Sequence, residues 1–201
     1  MVIRRILVPL SGRYDAEDPE NLDRPGLQSA LAVGRAFDAH VEVLCVTGDP
    51  SKPDERWSEW IPGYGVSQVI DWFKQEGKVR ARRARSAFDE VFSVCEPAQI
   101  GGSPASPGFS ARFVEQAGEL RQTVGRHGRV CDLIVTASSR ARWEAPYRPI
   151  LEACLRRTAR PVLVSPAGGL STVGEHVAIV WNDSIESARA VAASLPFLQR
   201  A

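Results

Sequence analysis

Residues 6–10 read Ile6-Leu7-Val8-Pro9-Leu10, an unbroken apolar run that stops at Ser11-Gly12. A strand with one wet face alternates apolar and polar side chains. A continuous run fits a strand covered on both faces, as in a parallel sheet flanked by helices. Asp23 and Pro25 follow as a helix start, and Leu27, Ala30, Leu31, Gly34 and Phe37 recur at helical spacing. Residues 41–46, Val41-Glu42-Val43-Leu44-Cys45-Val46, form a second strand signal. Strand and helix signals continue to alternate. Residues 47–66 are Pro- and Gly-rich and read as a loop. Residues 68–93 read as a long helix with Ala84, Ala87, Phe88 and Val91 inside. Residues 95–110 are again a loop. Residues 111–115 read as a strand, 119–126 as a helix ended by Gly128, 133–136 as a strand, 149–157 as a helix and 162–164 as a last strand. Such alternation predicts an α/β fold: a doubly wound, Rossmann-like five-stranded parallel sheet with helices on both faces.

The end of the chain repeats its beginning. Gln28-Ser29-Ala30-Leu31-Ala32-Val33 matches Glu186-Ser187-Ala188-Arg189-Ala190-Val191, and each follows an apolar run, residues 6–10 and 177–181. The expected organisation is a domain over 1–166, a linker over 167–175, and the first strand and helix of an incomplete second domain over 176–201. One strand and one helix cannot bury their apolar face alone. Val177, Ile179, Val191 and Leu195 are therefore expected to bury themselves against the main sheet or against another chain.

Composition excludes several classes. Lys+Arg is 25 and Asp+Glu is 24, so the chain lacks the basic excess of a general nucleic-acid or membrane-surface binder. No run approaches the roughly 20 apolar residues of a membrane span. The first apolar run is shorter than the about 7–15 residues of a signal peptide core, and a cytoplasmic location is expected. Cys45, Cys95, Cys131 and Cys154 stand singly and read as reduced core residues. His40, His127 and His176 are far apart, so no metal site is expected. Lys78, Arg80, Arg82, Arg83 and Arg85 crowd one helical stretch, but Asp71, Glu76, Asp89 and Glu90 lie near them, as on a solvated helix face. Ser11, Ser138 and Ser139 sit at strand ends, but none lies in a GxSxG elbow and no histidine is placed to activate them, so no catalytic residues are assigned.

The words Ile6-Leu7-Val8-Pro9, Val43-Leu44-Cys45-Val46, Asp132-Leu133-Ile134-Val135 and Arg160-Pro161-Val162-Leu163-Val164, in this order, resemble the universal stress protein family over residues 1–166, with a second copy starting near 176. The resemblance implies a five-stranded parallel sheet, a homodimer or tandem-domain pairing, and in one branch adenine-nucleotide binding. In that branch an Asp follows the first strand, and a GxxG-x9-G[ST] loop after the fourth strand cradles phosphate with backbone N–H groups. Here Ser11 stands at the Asp position, Ala137 and Arg140 at the GxxG positions, and Ile150 and Leu151 at the following pair; Asn182 replaces the Asp of the second copy. Residues 134–148, IVTASSRARWEAPYR, hold no glycine, and none occurs between Arg129 and Ala167. The expectation is a non-enzymatic stress-response or regulatory module, without the glycine-loop ATP site and without a cofactor. The alternative is an ATP- or AMP-binding member with a non-standard pocket of Ser11, Val46, Ala137, Ser138 and Arg140, any anion being held by Arg140 or Arg142, with Trp143 and Tyr147 alongside.

Overall fold

The computed structural model describes residues 2–12, 23–48, 66–105, 107–137 and 148–201. Most of the 47–66 loop, and Ser138, Ser139, Arg140, Arg142, Trp143 and Tyr147, lie outside the described residues. Five strands form one sheet: β1 (Arg5–Leu10), β2 (His40–Thr47), β3 (Ser110–Ala117), β4 (Leu133–Ala137) and β5 (Val162–Ser165). All are parallel, in the spatial order β3-β2-β1-β4-β5. The helices among the described residues are α1 (Arg24–Ala36), α2 (Val66–Phe92), α3 (Leu120–Gly128), α4 (Arg148–Arg157) and α5 (Ile185–Leu198), and a 3₁₀ turn lies at Pro97–Gln99.

Alternate residues of each strand feed two cores. Ile6, Val8, Leu10, Val41, Val43, Cys45, Leu133 and Val135 pack with Leu27, Ala30 and Val33 of α1 and with Ala81, Ala84, Ala87, Phe88 and Val91 of α2. Leu7, Leu44, Val46, Ile134 and Ala137 pack on the other side with Val124 of α3 and with Ile150, Ala153 and Cys154 of α4. This two-sided burial is why the strand runs carry no alternation. The first core is lined by rings: Phe88 stacks on Phe92 at 4.7 Å between centroids and meets Phe113 at 5.7 Å.

Two helix starts, those of α3 and α5, show ordinary side-chain capping, and that of α1 does not. Glu119 caps α3 through carboxylate bonds from the N–H groups of Arg121 and Gln122, both 2.8 Å. Ser184 caps α5 by accepting from Ser187 N–H at 3.1 Å. Asp23 holds the cap position of α1, yet its side chain caps nothing in that helix. Its carboxylate reaches across to the end of β1 instead.

The basic stretch on α2 is a solvated face, as expected: Lys78, Arg82, Arg83 and Arg85 are exposed, and Arg85 pairs with Asp89 at 3.0 Å, one turn away. All four cysteines are free. Cys45, Cys131 and Cys154 are buried, and burial pushes each thiol up to about 12. Cys95 is only partly buried.

Residues 176–201 depart from expectation. The helix forms as α5, but residues 177–181 pair with none of the described strands and are exposed. Val177, Ile179 and Leu195 are exposed, so these side chains do not bury themselves on the main sheet of their own chain. An apolar run becomes a strand only where it lies against a neighbouring strand that takes its hydrogen bonds, and this run lies against none of the described strands. The far end of α5 is anchored: Phe197 meets Phe37 edge-on at 5.1 Å between centroids, and the Arg200 guanidinium lies over the Phe37 ring.

Candidate functional site

In an open parallel sheet, ligands are taken at the carboxyl ends of the strands, where the connections leave for opposite faces. Here that point lies between β1 and β4. The strand register brings three of the expected site residues to neighbouring strand ends. Leu10 pairs with Cys45, which sets Ser11 one step on beside Val46, and Leu7 pairs with Ile134, which carries Ala137 to the level of Leu10. Ser138 and Arg140 lie outside the described residues.

The end of β1 is closed by the protein itself. Asp23 is 1% exposed. Its Oδ1 accepts from Ser11 N–H at 2.9 Å and from the Ser11 hydroxyl at 3.1 Å, and its Oδ2 accepts from Gly12 N–H at 2.9 Å. Two successive backbone N–H groups in this setting are what a phosphate would seek. A carboxylate from the start of α1 already takes both. Gly12 sits at φ +58°, and a Cβ there would lie 2.5 Å from the carbonyl oxygen of Arg80. The backbone of α2 therefore presses on the loop from the other side. At β4, a Cβ on Gly26 would lie 3.1 Å from the backbone nitrogen of Ala137, so the first turn of α1 seats directly on that strand end.

Val46 and Ala137 are buried in the α3–α4 core, at 8% and 5% exposure, and they line that core rather than an opening above the strands. Ser11 is buried and bound to Asp23. Asp23 stands at the start of α1, where its spacing to Pro25 placed it, but its carboxylate serves the end of β1 instead of its own helix. What distinguishes it is a partner twelve residues earlier in the chain.

A second polar group lies under α3. Glu42, on β2, is buried among apolar neighbours and accepts from Arg112 Nε at 3.0 Å, from a second nitrogen of the same guanidinium, and from His127 Nδ1. His127 Nε2 meets Gln116 Oε1 at 2.7 Å. Burial alone would raise the Glu42 carboxyl, but the hydrogen bonds from His127 and Arg112 and the Arg112 charge outweigh it and hold the group at about 2. At the start of β2, His40 Nδ1 and Ser110 Oγ are 2.8 Å apart. Burial, assisted by the Arg112 charge, lowers His40 to about 4. Its Nε2 has no hydrogen-bond partner among the described residues. The charge inside the otherwise apolar run Val41-Glu42-Val43-Leu44 was the available signal for this cluster.

Two open grooves lie away from the strand mouth. One, of about 490 Å³, runs between α1 and the end of α2, with Arg24, Leu31, Arg35, Glu90 and Leu170 on its walls. The other, of about 510 Å³, lies at the amino ends of the strands, beside Arg4, Phe37, Asp38 and His40. Among the described residues no cluster of His, Cys, Asp and Glu could hold a metal ion, and no helix is long and apolar enough to cross a membrane.

No family model matches the chain, and no curated protein matches it. Solved structures do. Universal stress protein UspA from Lactobacillus plantarum is 15% identical, with 82% of this chain and 99% of that one covered at a TM-score of 0.45. A protein of the universal stress protein family from Burkholderia pseudomallei is 21% identical over 82% of this chain and 96% of its own, with a TM-score of 0.44. The universal stress protein from Archaeoglobus fulgidus is 14% identical over 82% and 99%, with a TM-score of 0.41. The similar structures named here are all described as universal stress proteins or as members of that family.

Proposed function

We propose that this chain is a universal stress protein-like regulatory module that works through protein contacts, carries out no turnover, and takes no adenine nucleotide at the mouth of its sheet. The observation that carries this reading is the Asp23 carboxylate on the N–H groups of Ser11 and Gly12. A phosphate approaching there meets a fixed negative charge instead of free donors, and like charges at such range repel strongly in a buried setting. The absence of glycine from residues 130–166 supports the same reading, because close backbone approach to phosphate normally needs it.

The test is a calorimetric titration of ATP–Mg²⁺ into the purified chain, with AMP and ADP alongside and thermal unfolding as a second readout. The expected result is no heat and no shift in melting temperature for any of the three. Micromolar binding would overturn the proposal and put the pocket of Ser11, Val46, Ala137, Ser138 and Arg140 in its place. In that event Arg140→Ala with Arg142→Ala should abolish the heat. Hydrolysis of ATP by the chain would overturn both readings.

A further inference from the structure

We propose that the carboxyl ends of α3 and α4 form a docking surface for a segment of a partner protein in which acidic and apolar side chains are mixed. In a parallel sheet each crossover helix runs back against the strands, so both ends lie at the amino ends of the strands, opposite the mouth. The two ends are built against each other. A Cβ on Gly125 would lie 3.0 Å from the Cβ of Arg157, and one on Gly128 would lie 2.5 Å from Thr158 Cγ2. Ala159, at φ +54°, turns the chain between α4 and β5. Arg160 then donates from Nε and from a second guanidinium nitrogen to the Arg129 carbonyl, at 3.2 and 2.6 Å. Arg129 Nε in turn donates to the Arg157 carbonyl at 3.1 Å. Arg126, Arg129, Arg156, Arg157 and Arg160 all stand exposed around this seam.

Helix electrostatics accounts for part of the cluster. Cations near a helix C-terminus complement its dipole, and Arg129 and Arg160 cover terminal carbonyls. Arg126 and Arg156 have no such task, for neither makes a hydrogen bond or ion pair among the described residues. The neighbouring acids are engaged elsewhere. Glu152, one turn before Arg156, pairs with Arg121 at 3.4 Å and with Arg148 at 3.3 Å. Asp132 accepts from the backbone N–H groups of Arg4 and Arg5, both at 2.9 Å. Apolar side chains stand in the same stretches: Val130, 58% exposed, follows Arg129, and Leu155, 62% exposed, precedes Arg156.

Charge and apolar character together choose the occupant. Carboxylates match the fork of a guanidinium, and apolar side chains between them would cover Val130 and Leu155. A nucleic acid offers phosphates but nothing for the two apolar groups, and no aromatic ring stands among these residues for a base to stack on. Long polyanions and anionic bilayers also call for a wide basic field, whereas the whole chain sets 25 basic residues against 24 acidic ones. The inference rests on the reading of this chain as a module that works through protein contacts, and adds the chemistry of the partner.

The experiment is fluorescence anisotropy of a short labelled peptide of glutamates spaced by leucines, titrated with the full chain over a series of salt concentrations. The expected result is saturable binding that weakens with salt and vanishes when glutamines replace the glutamates. Arg126→Glu with Arg156→Glu should lower affinity about tenfold or more, since each reversal turns an attraction into a repulsion. The melting temperature should hold, because neither side chain has a partner in the fold. Should this variant melt early, the glutamine peptide decides instead, and equal affinity for both peptides would overturn the proposal. Val130→Ser with Leu155→Ser should weaken binding without changing its salt dependence. Lys78→Glu with Arg82→Glu, the same change in net charge placed on α2, should leave affinity as it was. No binding, binding indifferent to salt or to the Arg126 and Arg156 reversals, or an equal loss from the reversals on α2 would each overturn the proposal. So would a chain that ignores the peptide yet binds phosphatidylglycerol vesicles or single-stranded RNA, which would give the surface to that polyanion. Nucleotide binding at the mouth is read by calorimetry alone, so the two readings fail separately.

Discussion

Asp23 joins two segments through one side chain, and its removal should register in stability. Asp23→Asn keeps the shape but turns an amide N–H toward the N–H of Gly12 or Ser11. A hydrogen bond to a charged group contributes about 1.5–3 kcal/mol, so a loss of that order is expected in urea unfolding. An unchanged midpoint would mean that the carboxylate does not hold the loop. His40 and Glu42 make a second prediction, in pH. His40 lies at about 4 when folded against an ordinary 6.5. Between those values the unfolded chain takes up a proton that the folded chain refuses, so stability is full above pH 6.5 and falls toward pH 4. The limiting slope for one proton is about 1.4 kcal/mol per pH unit. Glu42 is depressed to about 2 from 4.5, so its contribution is present above pH 4.5 and is lost as pH falls toward 2. Denaturant unfolding of wild type and His40→Asn from pH 7 to 4.5 should separate the two groups. The variant should lose the upper part of the acid slope and keep the onset of the lower part. Parallel curves for the two proteins would refute the assignment to His40. Neither shift was readable in the sequence: His40 owes its environment to Ser110 and Arg112, about seventy residues away, and nothing in a linear chain announces that distance.

The loop between β1 and α1 depends on how α2 lies across it. Gly12→Ala would force a side chain into a left-handed backbone position and into the Arg80 carbonyl. Strain of this kind amounts to about 1–3 kcal/mol. Because the obstacle is helix backbone, relief requires α2 to move, and hydrogen exchange should show faster opening in α2 than in α3. Equal rates would argue that α2 is not braced on this loop. Elements of this sort were largely legible beforehand. The runs at 6–10, 41–46 and 133–136 became strands buried on both faces, apolar at every position but Glu42 and Thr136, and the run at 162–164 became the last strand although it is only partly buried. β3 reached further than its apolar residues, through Gln116 and Ala117, because β2 pairs with it along all eight positions. The run at 177–181 failed for the converse reason: apolar character makes a strand possible, and only a neighbour makes it form.

At the scale of the whole molecule, the doubly wound sheet could be read from the alternation of elements, since each period constrains its successor. The site could not. Ser11, Val46 and Ala137 do gather at adjacent strand ends, as the topology requires. Whether that gathering leaves an opening depends on side chains arriving from elsewhere, and Asp23 and the α2 backbone arrive there. The distribution of the four thiols carries a consequence of its own. Cys45 belongs to the α1–α2 core, Cys131 and Cys154 to the α3–α4 core, while Cys95 is partly open beyond α2. A native chain should thus react with a thiol reagent promptly at Cys95 and slowly at the other three, each of which must wait for its own side of the sheet to open. If Cys45 reacts in step with Cys131 and Cys154, the two halves come apart together; if it lags or leads, they do not. The protein in this way carries four built-in clocks for its own breathing, requiring no label and no substitution.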